Sequence, residues 1–180
     1  MKNIILSMIL ITLFAGKMRS QEREKYGNTL NLGAGVGYLG YAPAGNINFE
    51  IDVFRNFTLA PFASVYSYRS HRYWGNENYP YRNYYYRETT VPIGVKSSYY
   101  FDEWFNAGDR WDFYIGTSLG FAYRTTTWEN GYNGDRVVNS SASPLYANMH
   151  IGSECHVTQR MGIYLDLSTG MSTFGLGFHF

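Results

Sequence analysis

The last eight residues of the chain alternate apolar side chains with small or polar ones right up to the terminal carboxylate. The segment reads Thr-Phe-Gly-Leu-Gly-Phe-His-Phe, so Phe174, Leu176, Phe178 and Phe180 share one face of an extended strand. Chain ends are usually polar and frayed unless neighbouring structure fixes them. The pattern therefore predicts a terminal strand that is paired on both sides and faces an apolar environment, most simply lipid.

Residues 1–20 predict a cleaved secretory signal. Lys2 supplies a short positive segment, and residues 4–14 form an apolar run that is too short to cross a bilayer as a helix. We expect cleavage after Ser20, or a few residues earlier, with residues 21–180 forming one mature domain. An uncleaved membrane anchor is the alternative.

Composition narrows the class of protein. Tyr 18, Phe 12, Trp 4 and Gly 19 form a mixture typical of strand-rich barrels with aromatic belts. The 15 basic and 14 acidic residues nearly balance, which gives no indication of nucleic-acid binding. Cys155 is the only cysteine, so no internal disulfide can form and a lipid-anchored lipoprotein is not expected. No mature segment has 18 consecutive apolar residues, which excludes a helical membrane protein.

A two-residue hydrophobic period identifies eight strand candidates, the smallest usual number for a closed membrane barrel. The fold class that we predict is all-β, an eight-stranded antiparallel up-and-down transmembrane β-barrel. Pro61 predicts a bulge or a gap in the ladder, and the pattern leaves open which face of residues 57–68 points outward. The predicted strands are residues 29–38, 47–53, 57–68, 90–101, 111–124, 145–157, 161–168 and 173–180.

The connections alternate in length. Residues 55–56, 102–110 and 158–160 form the shorter links, whereas residues 69–88 and 125–143 form long ones. Outer-membrane barrels keep short turns on the periplasmic side and long loops outside the cell. The alternation therefore predicts periplasmic termini and two extracellular loops.

Alternation alone does not separate a membrane barrel from a soluble lipocalin-like carrier, whose apolar face points inward. Glycines on the polar face favour a cramped interior, and aromatic residues near the strand ends favour interfacial belts. The membrane barrel is therefore the prediction and the soluble carrier its alternative. The glycines are Gly33, Gly35, Gly37, Gly116, Gly120, Gly175 and Gly177.

The terminal strand also carries a more specific pattern. Thr173, Gly175, Phe178 and Phe180 occupy the polar, glycine, apolar and terminal aromatic positions of an outer-membrane assembly signal. In this the chain resembles the small outer-membrane barrels, the OmpA transmembrane domain and OmpX-type proteins. The resemblance implies insertion by the barrel assembly machinery into outer-membrane lipid and lipopolysaccharide, and it implies no particular activity.

The inward face carries charged side chains that must be paired, because an isolated buried charge is costly. We expect a network centred on Lys96 that plugs the lumen. His150, Glu154 and His156 share a face at a spacing that could hold a metal, but we expect them to satisfy one another and predict neither metal nor cofactor. The predicted network is Glu50, Asp52, Lys96, Asp112, Arg124, His150, Glu154, His156 and Asp166, with His179 on the same face.

A lipid-modifying outer-membrane enzyme is a further alternative. Asp52, Asp166 and Ser168 supply candidate groups, but no serine and histidine lie together at a strand end as nucleophile and base. We therefore predict that the protein is not an enzyme.

Residues 69–88 form the best candidate for a surface that binds an extracellular ligand or a host surface. They combine arginine, tyrosine and tryptophan, which dominate binding hot spots, and arginine also suits lipopolysaccharide phosphates. The alternative is that this segment simply extends two strands into a rigid hairpin. The candidate residues are Arg69, Arg72, Tyr73, Trp74, Tyr79, Tyr81, Arg82, Tyr84, Tyr85, Tyr86 and Arg87.

Overall fold

The computed structural model describes residues 28–38, 41–102, 110–138 and 143–180. Eight antiparallel strands in chain order close into one barrel, which confirms the predicted fold class. The predicted secretory signal lies outside the described residues. The strands are β1 (Thr29–Gly37), β2 (Ala42–Phe54), β3 (Phe57–Asn76), β4 (Tyr79–Tyr100), β5 (Trp111–Trp128), β6 (Leu145–Thr158), β7 (Met161–Ser168) and β8 (Met171–His179).

The terminal strand closes the barrel. β8 pairs with β7 on one side and with β1 on the other, where Leu32 lies opposite Leu176. The backbone N–H of Phe180 donates to the carbonyl of Asn28, so the pairing continues to the last residue. Both edges of β8 are thus satisfied, as the sequence predicts.

The outer wall of the barrel is apolar around its whole circumference. Exposed aliphatic side chains form a belt, and aromatic side chains such as Phe54, Trp111 and Phe180 lie exposed near the end where the described chain begins and ends. The inward face is polar, so the soluble carrier alternative, which needs an apolar interior, is wrong. The belt includes Leu32, Val36, Ile47, Ile51, Val65, Ile93, Val95, Ile115, Leu119, Met149, Ile151, Ile163, Leu165, Leu167 and Leu176.

Within the described residues, the structure has no helix with the length and apolar character needed to cross a membrane.

The structure settles the facing of residues 57–68. Phe62 and Tyr66 are buried in the lumen, while Val65 is exposed on the outer wall. The β2–β3 register is the same on both sides of Pro61, and the shift lies instead between Asp52 and Phe54, beside the turn. Pro61 therefore causes no bulge, but the β2–β3 ladder has no pair at residues 60 and 61, so the predicted gap is present.

Two segments that we interpreted as connections are strand. Residues 42–45, which lie between the predicted strands 29–38 and 47–53, begin β2 and pair with residues 34–37 of β1. Residues 69–88, interpreted as a long connection with a hairpin that extends two strands as the alternative, belong to β3 and β4 and are joined only by the turn at Glu77-Asn78, so the hairpin alternative is confirmed. Small side chains in the first case and β-favouring tyrosines in the second permit extended pairing that a strict apolar alternation does not indicate.

Three strands therefore extend well beyond the rest of the barrel wall. Residues 67–76 of β3, 79–89 of β4 and 125–128 of β5 continue the ladder beyond the last β2–β3 pair, Ala44–Tyr66. At about 3.3 Å per residue the β3 part alone extends roughly 30 Å along the strand. We call these three segments the ribbon.

Candidate functional site

The centre of the lumen is built around one ion pair. Lys96 of β4 lies 2.5 Å from the Asp166 carboxylate of β7. The Tyr114 hydroxyl donates to the same carboxylate oxygen at 2.7 Å and accepts from Lys96 at 3.1 Å. These groups are buried, so each charge is compensated inside the barrel, as burial of an ion requires.

The second Asp166 oxygen extends this network to β6 and β5. It lies 2.7 Å from His150 Nδ1, and His150 Nε2 lies 2.9 Å from Ser118 Oγ. This order of serine, imidazole and carboxylate has the connectivity of a hydrolase triad. The sequence did not indicate it, because Ser118 and His150 meet diagonally across β5 and β6 in mid-barrel and not at a strand end.

A second network surrounds Glu50. Its carboxylate accepts hydrogen bonds from Thr58, from the Tyr100 hydroxyl at 2.8 Å and from the Asn31 amide at 3.3 Å. Asn31 also donates to Asn48 at 3.0 Å. Neutral donors thus stabilise this buried carboxylate where the sequence led us to expect ion pairs.

A third network lies at the end of the barrel where the described chain begins and ends, which we call the terminal mouth. His179 Nε2 of β8 is 2.9 Å from Glu154 of β6, and His156 Nε2 is 2.7 Å from Asp112 of β5. The two imidazole rings are 4.8 Å apart. Thr29 Oγ1 lies 2.9 Å from Nδ1 of His179 and joins β1 to the group.

Glycines on the inward face make room for lumen tyrosines. A Cβ built on Gly152 would overlap the Tyr114 ring, and one on Gly33 would overlap the Tyr164 hydroxyl. Both tyrosines are buried. These two glycines therefore allow large rings to fill a narrow interior.

The space left in the centre is small. The cavity beside Lys96 has a volume of about 20 Å³, which is room for about one water molecule. Its walls come from seven of the eight strands, β2 to β8. The lining residues are Asn46, Asn48, Phe62, Ser64, Lys96, Ser118, Tyr146, His150, Tyr164, Asp166, Met171 and Thr173.

Some predicted residues lie apart from these networks. Arg124 lies toward the end of β5 that is opposite the terminal mouth, far along the strand from Asp112. It donates to the carbonyl of Ser143 at 2.9 Å. Asp52 is half-buried opposite Thr58 beside the β2–β3 turn. Ser168 Oγ binds backbone atoms of Met171 and so forms part of the β7–β8 turn. Asp52, Asp166 and Ser168 therefore do not form a common site.

Residues 129–138 fold back onto the inner face of the ribbon. Tyr132 is 1% exposed, stacks on Trp128 at 4.0 Å and meets Trp74 and Tyr84 edge-on or tilted at 5.3 Å. Arg72 donates to the carbonyls of residues 135 and 137 at 2.7 and 3.1 Å. We call Trp74, Tyr84, Trp128 and Tyr132 the aromatic cluster.

Arg82 links Tyr84 of the aromatic cluster to Glu129. Its guanidinium lies 4.3 Å from the Tyr84 ring and 3.1 Å from the Glu129 carboxylate. The hydrogen bond to Tyr84 raises the pKa of Arg82, and the Glu129 charge adds to the effect. Of the predicted binding residues, the inner face of the ribbon thus takes Arg72, Trp74, Arg82, Tyr84 and Tyr86.

The other predicted binding residues, apart from Tyr79, form the outer face of the ribbon. Tyr73 and Tyr81 are 67% and 66% exposed, and their rings lie 6.1 Å apart. Lower down, Arg69 lies directly opposite Arg87, and His71 opposite Tyr85. His71 is a member of this face that the sequence analysis missed, and the cross-strand register reveals it. Tyr79, beyond the register shift at the tip, instead packs its ring 5.6 Å from that of Trp74 on the inner face. The predicted residues on the outer face are Arg69, Tyr73, Tyr81, Tyr85 and Arg87.

Comparison with solved structures finds other eight-stranded membrane barrels. A de novo designed transmembrane β-barrel superposes with a TM-score of 0.51 at 9% identity, over 87% of this chain and 98% of that chain. The likeness is one of fold. The outer membrane protein Ail of Yersinia pestis, solved in a phospholipid nanodisc, has a TM-score of 0.44 at 10% identity, over 86% of this chain and 99% of that one. No family model and no curated protein matches the sequence, so membership of the OmpA and OmpX-type group stays a proposal.

Proposed function

We propose that the protein is an integral barrel of the bacterial outer membrane, related to OmpA and OmpX-type proteins and inserted by the barrel assembly machinery through Thr173, Gly175, Phe178 and Phe180. The apolar belt around the closed barrel supports this location, because water would not solvate that wall favourably. Folded membrane barrels commonly resist denaturing detergent until boiled. Identical gel mobility before and after boiling, with recovery of the protein in soluble periplasmic extract, would contradict the proposal.

The lumen serves structure and does not transport solutes. Its side chains are committed to the networks around Asp166, Glu50 and Glu154, and the central cavity holds about one water. We expect purified protein in a planar bilayer to give no reproducible single-channel steps. Stable single-channel steps would contradict a closed lumen.

The ribbon is the functional surface, and the division of its two faces carries this proposal. The inner face packs against residues 129–138, which fixes the ribbon in place, while tyrosines on the outer face stay exposed and have no partner layer among the residues that the structure describes. Tyrosine offers a large amphipathic contact area at low entropic cost, and a rigid support reduces the ordering that binding requires. The proposed partner is an extracellular ligand or host surface.

The lower part of the outer face suits lipopolysaccharide. Arg69 and Arg87 lie directly opposite each other, a like-charge arrangement that is destabilising unless an anion lies between them. They stand just above a row of hydroxyl side chains, Ser67 and Thr89, whose oxygens are 3.0 Å apart, and the apolar belt begins below that row. The phosphates of outer-leaflet lipopolysaccharide would lie at this height, and arginine binds phosphate bidentately.

A triple substitution tests the outer face of the ribbon. Replacing Tyr73, Tyr81 and Tyr85 together by serine should reduce adhesion of expressing cells to host-cell monolayers at least about tenfold, as loss of hot-spot residues does. Tyr41→Ser, which removes a side chain 84% exposed near the β1–β2 turn, is the control. Unchanged adhesion and envelope integrity in the triple variant would remove the binding proposal.

Lipopolysaccharide is tested separately with refolded protein. Arg69→Ser with Arg87→Ser should weaken its retention by about tenfold, because charge-assisted hydrogen bonds are lost. Arg55→Ser with Arg160→Ser makes the same charge change in turns at the terminal mouth and should have no effect. Equal retention by both double variants would contradict the assignment of phosphate to the arginine pair.

A second candidate function, acyl hydrolysis, rests on the Ser118–His150–Asp166 connectivity. The small cavity and the Lys96 ion pair to the same aspartate oppose it, because no acyl substrate fits and the carboxylate is already neutralised. A fluorophosphonate probe tests it directly. Labelling of the folded protein that disappears in Ser118→Ala would establish a reactive serine, and absence of labelling would remove this candidate.

A further inference from the structure

Three metal-ligating side chains converge at the terminal mouth, and a fourth lies beside one of them. One ligand atom from each of Glu154, His156 and His179 lies within 4.8 Å of the other two. Asp112 adds a fourth group, with Oδ2 at 2.7 Å from His156 Nε2. These residues come from β5, β6 and β8, so the inward curvature of the sheet brings them together across the lumen.

The donor set fits a transition-metal dication. Two imidazoles and two carboxylates match the ligand preferences of zinc, which takes four nitrogen or oxygen ligands in tetrahedral geometry. With metal–ligand distances of about 2.0–2.2 Å, the ligand atoms of such a site are about 3–3.5 Å apart. The Glu154–His179 distance of 2.9 Å already falls near this range. The ligand atoms of all three residues lie within 4.8 Å of one another, so ion binding requires the His156 side chain to move closer.

The surroundings orient the ligands. Thr29 Oγ1 lies 2.9 Å from Nδ1 of His179, so an Nδ1–H that donates to it leaves the Nε2 lone pair directed at the cluster, as the outer partners of metal-binding histidines do. A Cβ on Gly162 or Gly177 would overlap the Glu154 carboxylate, so both glycines provide the space that this ligand occupies.

The cluster is also reachable by an ion. The His156 side chain is 22% exposed and that of His179 is 13% exposed at the open end of the barrel. In the absence of an ion each imidazole pairs with a carboxylate, so the cluster is stable when empty. Binding an ion would displace any proton on the coordinating nitrogens.

We propose that Asp112, Glu154, His156 and His179 form a binding site for a divalent transition metal, with Zn²⁺ as the best-fitting ion. The site is independent of the ribbon and of the function proposed for it. The ion would link β5, β6 and β8 beside the β8–β1 seam, and it would stabilise the closed barrel because it binds only the folded state.

The test uses full-length mature protein, refolded without a polyhistidine tag, stripped with chelator and titrated with Co²⁺ and then Zn²⁺. We expect saturable binding of one ion per chain, a visible Co²⁺ absorption band of a four-coordinate site that Zn²⁺ abolishes, and a higher unfolding temperature with Zn²⁺ than with chelator. Absence of a Zn²⁺-competed band in the wild-type protein overturns the proposal, whatever the variants do.

Variants then assign the ligands. His156→Gln and His179→Gln should each weaken Zn²⁺ binding at least about tenfold. His150→Gln removes a lumen histidine that binds Asp166 and Ser118 instead, and His71→Gln removes one on the ribbon, so both should bind Zn²⁺ like the wild type. Gel mobility before boiling confirms that each variant is folded. Equal affinity in all four variants, or loss of binding in His71→Gln, would overturn the proposed ligand set.

Discussion

At the scale of single residues, the lumen depends on complementary neighbours more than on any one charge. Asp166 illustrates this, since one carboxylate serves Lys96, Tyr114 and His150. A buried ion pair adds little stability over an apolar replacement, but removing one partner leaves the other charge uncompensated. The cost of a substitution therefore depends on which partners remain.

Asp166→Asn should destabilise the barrel strongly, because it leaves the buried Lys96 ammonium with only neutral partners. We expect a loss of about 3–5 kcal/mol in the free energy of unfolding. Urea unfolding in lipid vesicles, followed by gel mobility, measures it. Lys96→Met combined with Asp166→Asn should recover part of the loss, and a double variant less stable than Asp166→Asn would contradict the assignment of the cost to Lys96.

Gly152→Ala should also destabilise the barrel, by about 1–3 kcal/mol, as overpacking of a filled interior does. The added methyl group would overlap the Tyr114 ring. Gly45→Ala is a matched control, because a Cβ there meets only Val65, at 3.7 Å, on the outer side of β2. The same urea assay compares the two. Equal unfolding midpoints would show that the lumen is not tightly packed around Tyr114.

At the scale of elements, the ribbon is a β-sheet with a small core of its own. A strand pair that leaves a barrel is only marginally stable by itself, yet the ribbon gains a packed layer from residues 129–138. The aromatic cluster and the Arg72 hydrogen bonds fasten that segment across β3, β4 and β5. Inner-face aromatics are thus committed to packing, and outer-face aromatics remain available for contacts.

Tyr132→Ala should release residues 129–138 from the ribbon and leave the barrel folded. Truncating a buried aromatic side chain costs about 3–5 kcal/mol, which is enough to open a short surface segment. Limited proteolysis of intact cells should then cut within this segment. Tyr81→Ala, at a position 66% exposed, is the control. Equal resistance of both variants would show that the cluster does not hold the segment in place.

At the scale of the whole molecule, unequal strand lengths give the barrel two different ends. β3 and β4 have 20 and 22 residues, whereas β7 has 8 and β1 and β8 have 9 each. All the added length lies at the end opposite the terminal mouth. One end of the barrel therefore carries the ribbon and the other carries only short turns. Such an asymmetry suits a protein whose two ends lie on opposite sides of a membrane.

The proposed orientation, with the termini in the periplasm, predicts which turns are accessible from outside the cell. A short epitope inserted at Glu77-Asn78, the tip of the ribbon, should bind antibody on intact cells. The same epitope at Arg55-Asn56 or Gln159-Arg160 should bind only after the outer membrane is permeabilised. The reverse pattern would place the termini outside and would contradict the proposed role of the ribbon.

The sequence by itself determined the fold, because a two-residue period repeated in eight segments leaves a closed sheet as the only way to pair every edge. It also indicated the inward polar residues and the lipid-facing side chains. It did not determine that residues 69–88 are strand, since their apolar alternation ends where the belt ends.

Only the tertiary structure decided which side chains meet. His179 joins Glu154, His150 joins Ser118, and Tyr132 joins Trp74 because register and closure bring together residues that are distant in the chain.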